Sequence, residues 1–345
     1  MTGPIFSLAY RLNKLYLDIS DLTFGILFDP QRDIVLITGG SSGLGKELAS
    51  KFISKKARVV VFDITVPEEG TDNFVEGVVY VKCDVSNREQ VLEQAEYVRN
   101  TVGTVTMLIN NAGITMGKKL LDLSFDEIEK TLQVNLLSSF YTIKAFLPDM
   151  LAVHRGYIIT IASTLGYLSP ARLSAYGASK SGLIALHESL TYELGPPAFN
   201  ISGVKTLLLC PGQLKTNMFQ GVPTPSTILA PELEPKDVAR EVYKAVKYGK
   251  RGEIKIPLYG NIIPLIRSIP WPMAEAFRYL SGIDQSMKKF VGNTVELGQR
   301  SASSLSGAAS IISELVSRAG DVADSVASAV SGSVQLPKIS TGDIN

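Results

Sequence analysis

The sequence predicts an α/β fold, a doubly wound parallel sheet of seven strands with helices on both faces. Two observations carry this. Short β-branched runs alternate with helix-length segments from residue 33 to residue 257. The runs are also near-continuously apolar rather than alternating, as strands covered on both faces require. The strands are expected at DIVLIT (33–38), RVVVFD (58–63), VVYVKC (78–83), TMLIN (106–110), GYIITIAS (156–163), SGVKTLLLC (202–210) and EIKIPL (253–258). The main helical segments between them are KELASKFISKK, REQVLEQAEYVRN, FDEIEKTLQVNLLSSFYTIKAFLPDML and AYGASKSGLIALHESLTYEL. No internal repeat is visible.

Composition narrows the function. The chain has 345 residues, 45% hydrophobic and 19% charged, enough apolar material for a large core and too much for a disordered chain. Lys and Arg total 34 against 33 acidic residues, a net charge of +1, so there is no basic footprint for a nucleic acid. The two cysteines, Cys83 and Cys210, make no disulfide framework and fit a reducing compartment. With only His154 and His187 besides, no metal site is expected. No stretch reaches the roughly 18 uncharged apolar residues of a spanning helix. The first 28 residues are apolar but broken by Arg11, Lys14, Asp18 and Asp21, without the order of a signal peptide.

The first strand runs into Thr38-Gly39-Gly40-Ser41-Ser42-Gly43-Leu44-Gly45, and a helix follows. Glycines between a strand and a helix permit a tight turn and let backbone approach a pyrophosphate. The helix N-terminus offers free N–H groups and partial positive charge to the anion. An ordinary glycine-rich turn is the bland alternative; the strand before and helix after favour the phosphate loop. Asp63 ends the second strand, where a carboxylate accepts bonds from the adenosine ribose hydroxyls and repels a 2′-phosphate. Ser42, Ile64 and Thr65 provide no cation for such a phosphate, so NAD is expected rather than NADP.

Tyr176 and Lys180 stand four apart at the start of a helical pattern, on one helix face. A phenol of pKa about 10 is a poor acid–base at neutral pH; a neighbouring ammonium is expected to lower it toward the working range. Ser163 closes an apolar strand, whose carboxyl end faces the ligand crevice of a parallel sheet. Asn135 is an amide in an apolar helical neighbourhood. Alone, Tyr176 and Lys180 would be a surface pair; with the glycine loop, Ser163 and Asn135 they read as catalytic.

Together these residues resemble the short-chain dehydrogenase/reductase family, whose fold is of the Rossmann type. The resemblance is carried by Thr38-Gly-x3-Gly-Leu-Gly45, Cys83-Asp84-Val85, Asn110-Asn111-Ala112-Gly113, Asn135, Ser163, Tyr176-x3-Lys180, and Pro211-Gly212 with Thr216. It implies that Asp84, beside Val85, contacts adenine and that Asn111, Ala112 and Gly113 support the central strand beside the ribose. It implies that Thr216, after Pro211-Gly212, binds the nicotinamide carboxamide, that Lys180 holds the nicotinamide ribose, and that Asn135 anchors a proton-relaying water. It also implies a homodimer through the helices carrying Asn135 and Tyr176. The stretch IASTLGYLSPARLSAYGASKSGLIALHESLTYEL is similar to the retinol and 17β-hydroxysteroid dehydrogenase branch of endoplasmic reticulum and lipid droplets, which interconverts lipophilic alcohols and their carbonyls.

Four segments follow: 1–32, apolar and amphipathic; 33–258, the NAD-binding catalytic domain; 259–299, a proline-rich lid or membrane-facing extension; and 300–345, a Ser/Ala-rich tail. In the tail, Ile311, Leu315, Val322 and Val326 share one face of a helical wheel and Glu314, Arg318, Asp321 and Asp324 the other, a stripe for a lipid surface or for the chain's own domain, the third reading being a tail disordered in water. A weaker stripe runs through residues 5–19, and Trp271 and Tyr279 suit a bilayer interface or a core equally. The expected activity is NAD-linked interconversion of a lipophilic alcohol and its carbonyl. The rivals are an NADPH-linked keto-lipid reductase, of ketosphinganine type, and a non-catalytic scaffold on a lipid surface.

Overall fold

A computed structural model describes residues 27–195, 202–222 and 231–290. The stripes of residues 5–19 and 305–331 lie outside the described residues.

The expected strands all form: β1 (Ile34–Thr38), β2 (Arg58–Asp63), β3 (Val78–Lys82), β4 (Met107–Asn110), β5 (Gly156–Ile161), β6 (Val204–Pro211) and β7 (Gly252–Ile256). They make one parallel sheet of seven in the order β3-β2-β1-β4-β5-β6-β7. β1, β4 and β6 are buried at every position, whereas the edge strands β3 and β7 are only partly covered. Successive side chains alternate between the faces. Val35 and Ile37 join the core beneath helices α1 (Gly43–Ile53) and α6 (Pro235–Lys247); Ile34 and Leu36 join the one beneath α2 (Arg88–Thr101) and α4 (Ser138–Ala152).

Several ends differ from expectation for local reasons. Asp33 stays outside β1 because its carboxylate binds Arg155 Nε at 2.7 Å and the Thr106 hydroxyl at 2.8 Å. β7 stops before Pro257, which has no N–H to donate to a ladder. β5 stops at Ile161, leaving Ser163 to cap the short turn Thr164–Gly166. The long segment expected as one helix is α3 (Phe125–Leu132), a π-helical turn (Gln133–Leu137) and α4 in succession. α3 opens with a capping box between Ser124 and Glu127.

After β7 the prolines divide the chain as expected. Short helices α7 (Ile263–Ile266), α8 (Trp271–Ser281) and α9 (Ile283–Ser286) replace one long helix, with Gly282 left-handed between the last two. Among the described residues, no helix is long and apolar enough to cross a membrane.

The strand order reverses between β1 and β4. In an open parallel sheet the ligand crevice lies at that switch point, outside the carboxyl ends of the strands. The loops after β1, β4, β5 and β6 carry the glycine loop, Asn111–Gly113, Ser163 and Thr216, and Asp63 ends β2 beside them.

Candidate active site

Gly39 (φ +65°) and Gly43 (φ +51°) turn the chain from β1 into α1 with left-handed backbone that other residues resist. Ser42 caps α1 in extended conformation without a side-chain bond to the first turn, which holds no acidic residue. The open N–H groups there fit an anion. Gly45 permits the close approach of helix and loop: a Cβ there would lie 2.0 Å from Gly39 O and 2.7 Å from Asn111 Nδ2. Leu44 packs into the core, so only its backbone faces the loop.

Asp63 closes the loop's far side. One carboxylate oxygen accepts from Ser41 N at 3.0 Å and the other from Thr65 N at 3.0 Å, while Ser41 Oγ donates to Thr65 O at 2.7 Å. The carboxylate is thus fixed at the end of β2, beside the phosphate loop. These residues fit a dinucleotide: anion-ready amides, a cradle that side chains would fill, and an acidic group at the neighbouring strand end.

Asn111 and Thr38 lock β4 to β1. Asn111 Nδ2 donates to Thr38 O and Gly39 O, both at 3.0 Å, and Thr38 Oγ1 accepts from the N–H groups of Asn111 (3.0 Å) and Ala112 (3.1 Å). Gly113 lies where the other parts meet, since a Cβ there would stand 3.5 Å from Asn135 Oδ1, 3.7 Å from Lys180 Nζ and 3.8 Å from Met218 Cε. Asp84 accepts from Ser86 Oγ at 2.6 Å and Lys130 Nζ at 2.9 Å. Burial raises its carboxyl pKa, but those bonds outweigh burial and hold it below the ordinary range. Any adenine contact from Asp84 shares the carboxylate with Ser86 and Lys130. Val85 is core. Thr216 stands beside Gly43, its Cγ2 3.4 Å from where a Cβ would be, and Gly212 N donates to Ile256 O at 2.7 Å. Pro211 O lies 3.5 Å from Ser163 Oγ.

Tyr176 and Lys180 are both buried on α5 (Ser174–Glu193). Lys180 Nζ donates to Ile161 O at 2.9 Å and lies 5.8 Å from the centre of the Tyr176 ring. Ser163 Oγ accepts from Leu165 N at 3.1 Å, and its hydroxyl favours the ionised form of Tyr176. Asn135 sits in the π-helical turn, 1% exposed. Its Oδ1 accepts from Ile114 N at 2.7 Å, and its Nδ2 donates to Ile114 O at 2.9 Å and to Ser179 Oγ at 3.0 Å. Ile114 and Ser179 were not picked out from sequence. Ser179 directly precedes Lys180, and a small polar residue on the helix's buried face was its only signal.

One expectation is reversed. The neighbouring ammonium was expected to lower the Tyr176 pKa. Burial instead pushes the phenol up to about 12, with the Ser163 bond pulling the other way. Burial also brings the Lys180 ammonium down to about 8. Desolvation disfavours both charged forms, and Lys180 turns its Nζ onto a backbone carbonyl rather than onto the phenol oxygen.

Comparison with known proteins gives the family. The short chain dehydrogenase family model matches residues 33–226. An uncharacterized oxidoreductase of Saccharomyces cerevisiae is 36% identical over 251 residues, covering 72% of this chain and 82% of its own. Retinol dehydrogenase 10 of Homo sapiens is 35% identical over 291 residues, covering 75% and 84%. Estradiol 17-beta-dehydrogenase 11 of Macaca fascicularis is 38% identical over 235 residues, covering 65% and 77%. A short-chain dehydrogenase from Streptomyces avermitilis shares the fold at a TM-score of 0.59 and 24% identity, over 72% of this chain and 99% of its own. On the sequence match and the fold together, the chain belongs to the short-chain dehydrogenase family and is an oxidoreductase.

Proposed function

We propose that the protein is an NAD-linked dehydrogenase of a lipophilic alcohol, run in either direction, with Tyr176 as proton carrier. The observation that carries this reading is the buried meeting of Tyr176, Lys180, Ser163 and Asn135 beside the glycine loop. Asp63 supports NAD over NADP, because its fixed carboxylate would repel a 2′-phosphate. The names of the relatives, retinol dehydrogenase and estradiol 17-beta-dehydrogenase, support an apolar alcohol.

The glycine loop and the first turn of α1 would hold the pyrophosphate, Asp63 the adenosine ribose, and Thr216 and Lys180 the nicotinamide end. A bound nicotinamide supplies the hydride acceptor or donor and, when oxidised, a positive charge near the phenol. In oxidation Tyr176 takes the hydroxyl proton while Ser163 holds the substrate oxygen. Lys180, itself titrating at about 8, passes the proton onward through water held near Asn135.

The exposed Trp271, Tyr279 and Leu280 on α8 favour work at a lipid surface, on endoplasmic reticulum or lipid droplets. The exposed Leu137 and Phe140 favour a homodimer through the helices carrying Asn135 and Tyr176. The test is a substrate screen of retinoids, steroids and acyl alcohols with NAD and NADP. Turnover of a lipophilic alcohol with NAD is expected. No nicotinamide-dependent turnover of any of them, or a clear preference for NADP, would overturn the corresponding part of the reading.

A further inference from the structure

The side of Tyr176 away from Ser163 is apolar. The ring lies edge-to-face against Phe219, with centroids 5.7 Å apart and planes at 89°. It belongs to a cluster with Leu173, Val222 and Met287, against which Leu165, Met218 and Phe290 pack. Met287 is 2% exposed, although it lies far along the chain, beyond the sheet and beyond α9. Phe290 reaches the loop after β4. A Cβ on Gly117, whose φ is +62°, would stand 2.1 Å from its Cδ1, so that loop leaves room for the ring only because residue 117 is glycine.

The short segment carrying Met287 and Phe290 is held from outside. Arg278 Nε donates to Asp284 Oδ2 at 3.0 Å, and Arg278 Nη2 to Asp284 Oδ1 at 2.5 Å. The same Nη2 donates to Ser169 O at 3.0 Å, and Ala171 N donates to Asp284 Oδ1 at 2.8 Å. The pair thus ties the end of α8 and the start of α9 to the loop that leads into the Tyr176 helix.

We propose that this extension completes the substrate site: Met287 and Phe290 form the apolar wall that receives the non-reacting body of the substrate beside Tyr176, and the Arg278–Asp284 pair holds that wall in place. The inference rests on the dehydrogenase reading above and names specificity-determining residues for it. A polyhydroxylated substrate placed here would bury hydroxyls against Met287, Phe290, Phe219 and Val222 without partners, which is costly. A rigid or chain-like hydrocarbon body would instead lose apolar surface to water at no such cost. Methionine suits the position because its unbranched thioether adapts to different apolar shapes. Arg278 and Asp284 touch neither substrate nor cofactor and act by position.

The test compares wild type with Met287→Gln, Phe290→Leu, Arg278→Met and Asp284→Asn, with Tyr97→Gln, exposed on α2, as control. NADH binding is measured first, by fluorescence. Kinetics with NAD then use all-trans-retinol, estradiol and, as a small reference alcohol, cyclohexanol. The ratio of kcat/KM for the bulky alcohol to that for cyclohexanol should fall about tenfold in Met287→Gln and Phe290→Leu, mainly through KM. Arg278→Met and Asp284→Asn should lower it in the same direction, and combining them should add little. Tyr97→Gln should match wild type, and NADH affinity should hold in every variant. An unchanged ratio in the Met287 and Phe290 variants, with NADH still bound, overturns the wall and leaves the dehydrogenase reading standing. So does a wild type that oxidises cyclohexanol and neither bulky alcohol. A wild type that binds no NADH overturns the dehydrogenase reading, and the wall with it.

Discussion

Asn135 Nδ2 donates to Ser179 Oγ at 3.0 Å, and Ser179 Oγ donates in turn to Tyr176 O at 2.6 Å. The π-helical turn is therefore bonded to α5, the helix that carries Tyr176. An extra residue per turn re-aims the side chain of Asn135 toward Ile114, and both peptide groups of Ile114 are satisfied by that one amide.

A first prediction follows for this joint. Asn135→Ala leaves the N–H and C=O of Ile114 without their amide partner and should destabilise the fold by roughly 1–3 kcal/mol. Turnover should fall with it. Ser179→Ala removes the bonds to Asn135 Nδ2 and to Tyr176 O, the latter within its own helix, and should cost less, about 0.5–1.5 kcal/mol. Urea unfolding and steady-state kinetics on the two variants check this. If Ser179→Ala proves the more damaging, Asn135 is not the hub of the joint.

The centre of the sheet was legible because strands such as β1 and β6 are fully covered, and full burial writes continuous apolar runs such as IVLIT and VKTLLLCP. The glycine loop and the Tyr176–Lys180 spacing were legible because both are local in sequence. What escaped was set by tertiary environment. A helical period does not reveal an inserted π turn at Gln133–Leu137. The spacing of Tyr176 and Lys180 makes them neighbours but says nothing of burial, and burial decides the sign of the phenol's shift. Met287 reaches Tyr176 across the whole second half of the chain, through packing that no local pattern encodes.

Tyr176 gives the second prediction. Tyr176→Phe keeps the ring and its edge-to-face contact with Phe219 but removes the hydroxyl. Turnover should fall by about 10²–10⁴-fold, the range of general acid–base catalysis. NADH affinity, read by fluorescence, should stay near wild type. Near-normal turnover would remove Tyr176 from the chemistry.

Cofactor choice gives the third. Asp63→Ala removes the carboxylate that the amides of Ser41 and Thr65 fix at the loop. Adding Ile64→Arg places a guanidinium where a 2′-phosphate would lie. The ratio of kcat/KM for NADP over NAD should rise in the double variant. The Asp63 argument fails if wild type already prefers NADP.

The fourth concerns His187, 4% exposed on α5, whose Nδ1 lies 3.1 Å from Thr160 Oγ1 while its Nε2 is buried without a hydrogen-bond partner. Burial brings its pKa down from 6.5 to about 4, against a smaller opposing effect from Glu253. The sign follows from linkage. Above pH 6.5 the ring is neutral in both folded and unfolded chains and contributes nothing. Between 6.5 and about 4 only the unfolded chain takes up the proton, so stability falls as pH falls through that window. At about 1.4 kcal/mol per pH unit, going from pH 7 to pH 5 should cost of order 2 kcal/mol through this group. Urea unfolding of wild type and His187→Gln at the two pH values isolates it, because every other titrating group is common to both. The stability lost between pH 7 and pH 5 should be smaller in the variant by that amount. An equal loss in both proteins would mean that His187 titrates normally and that water or a polar partner reaches its Nε2.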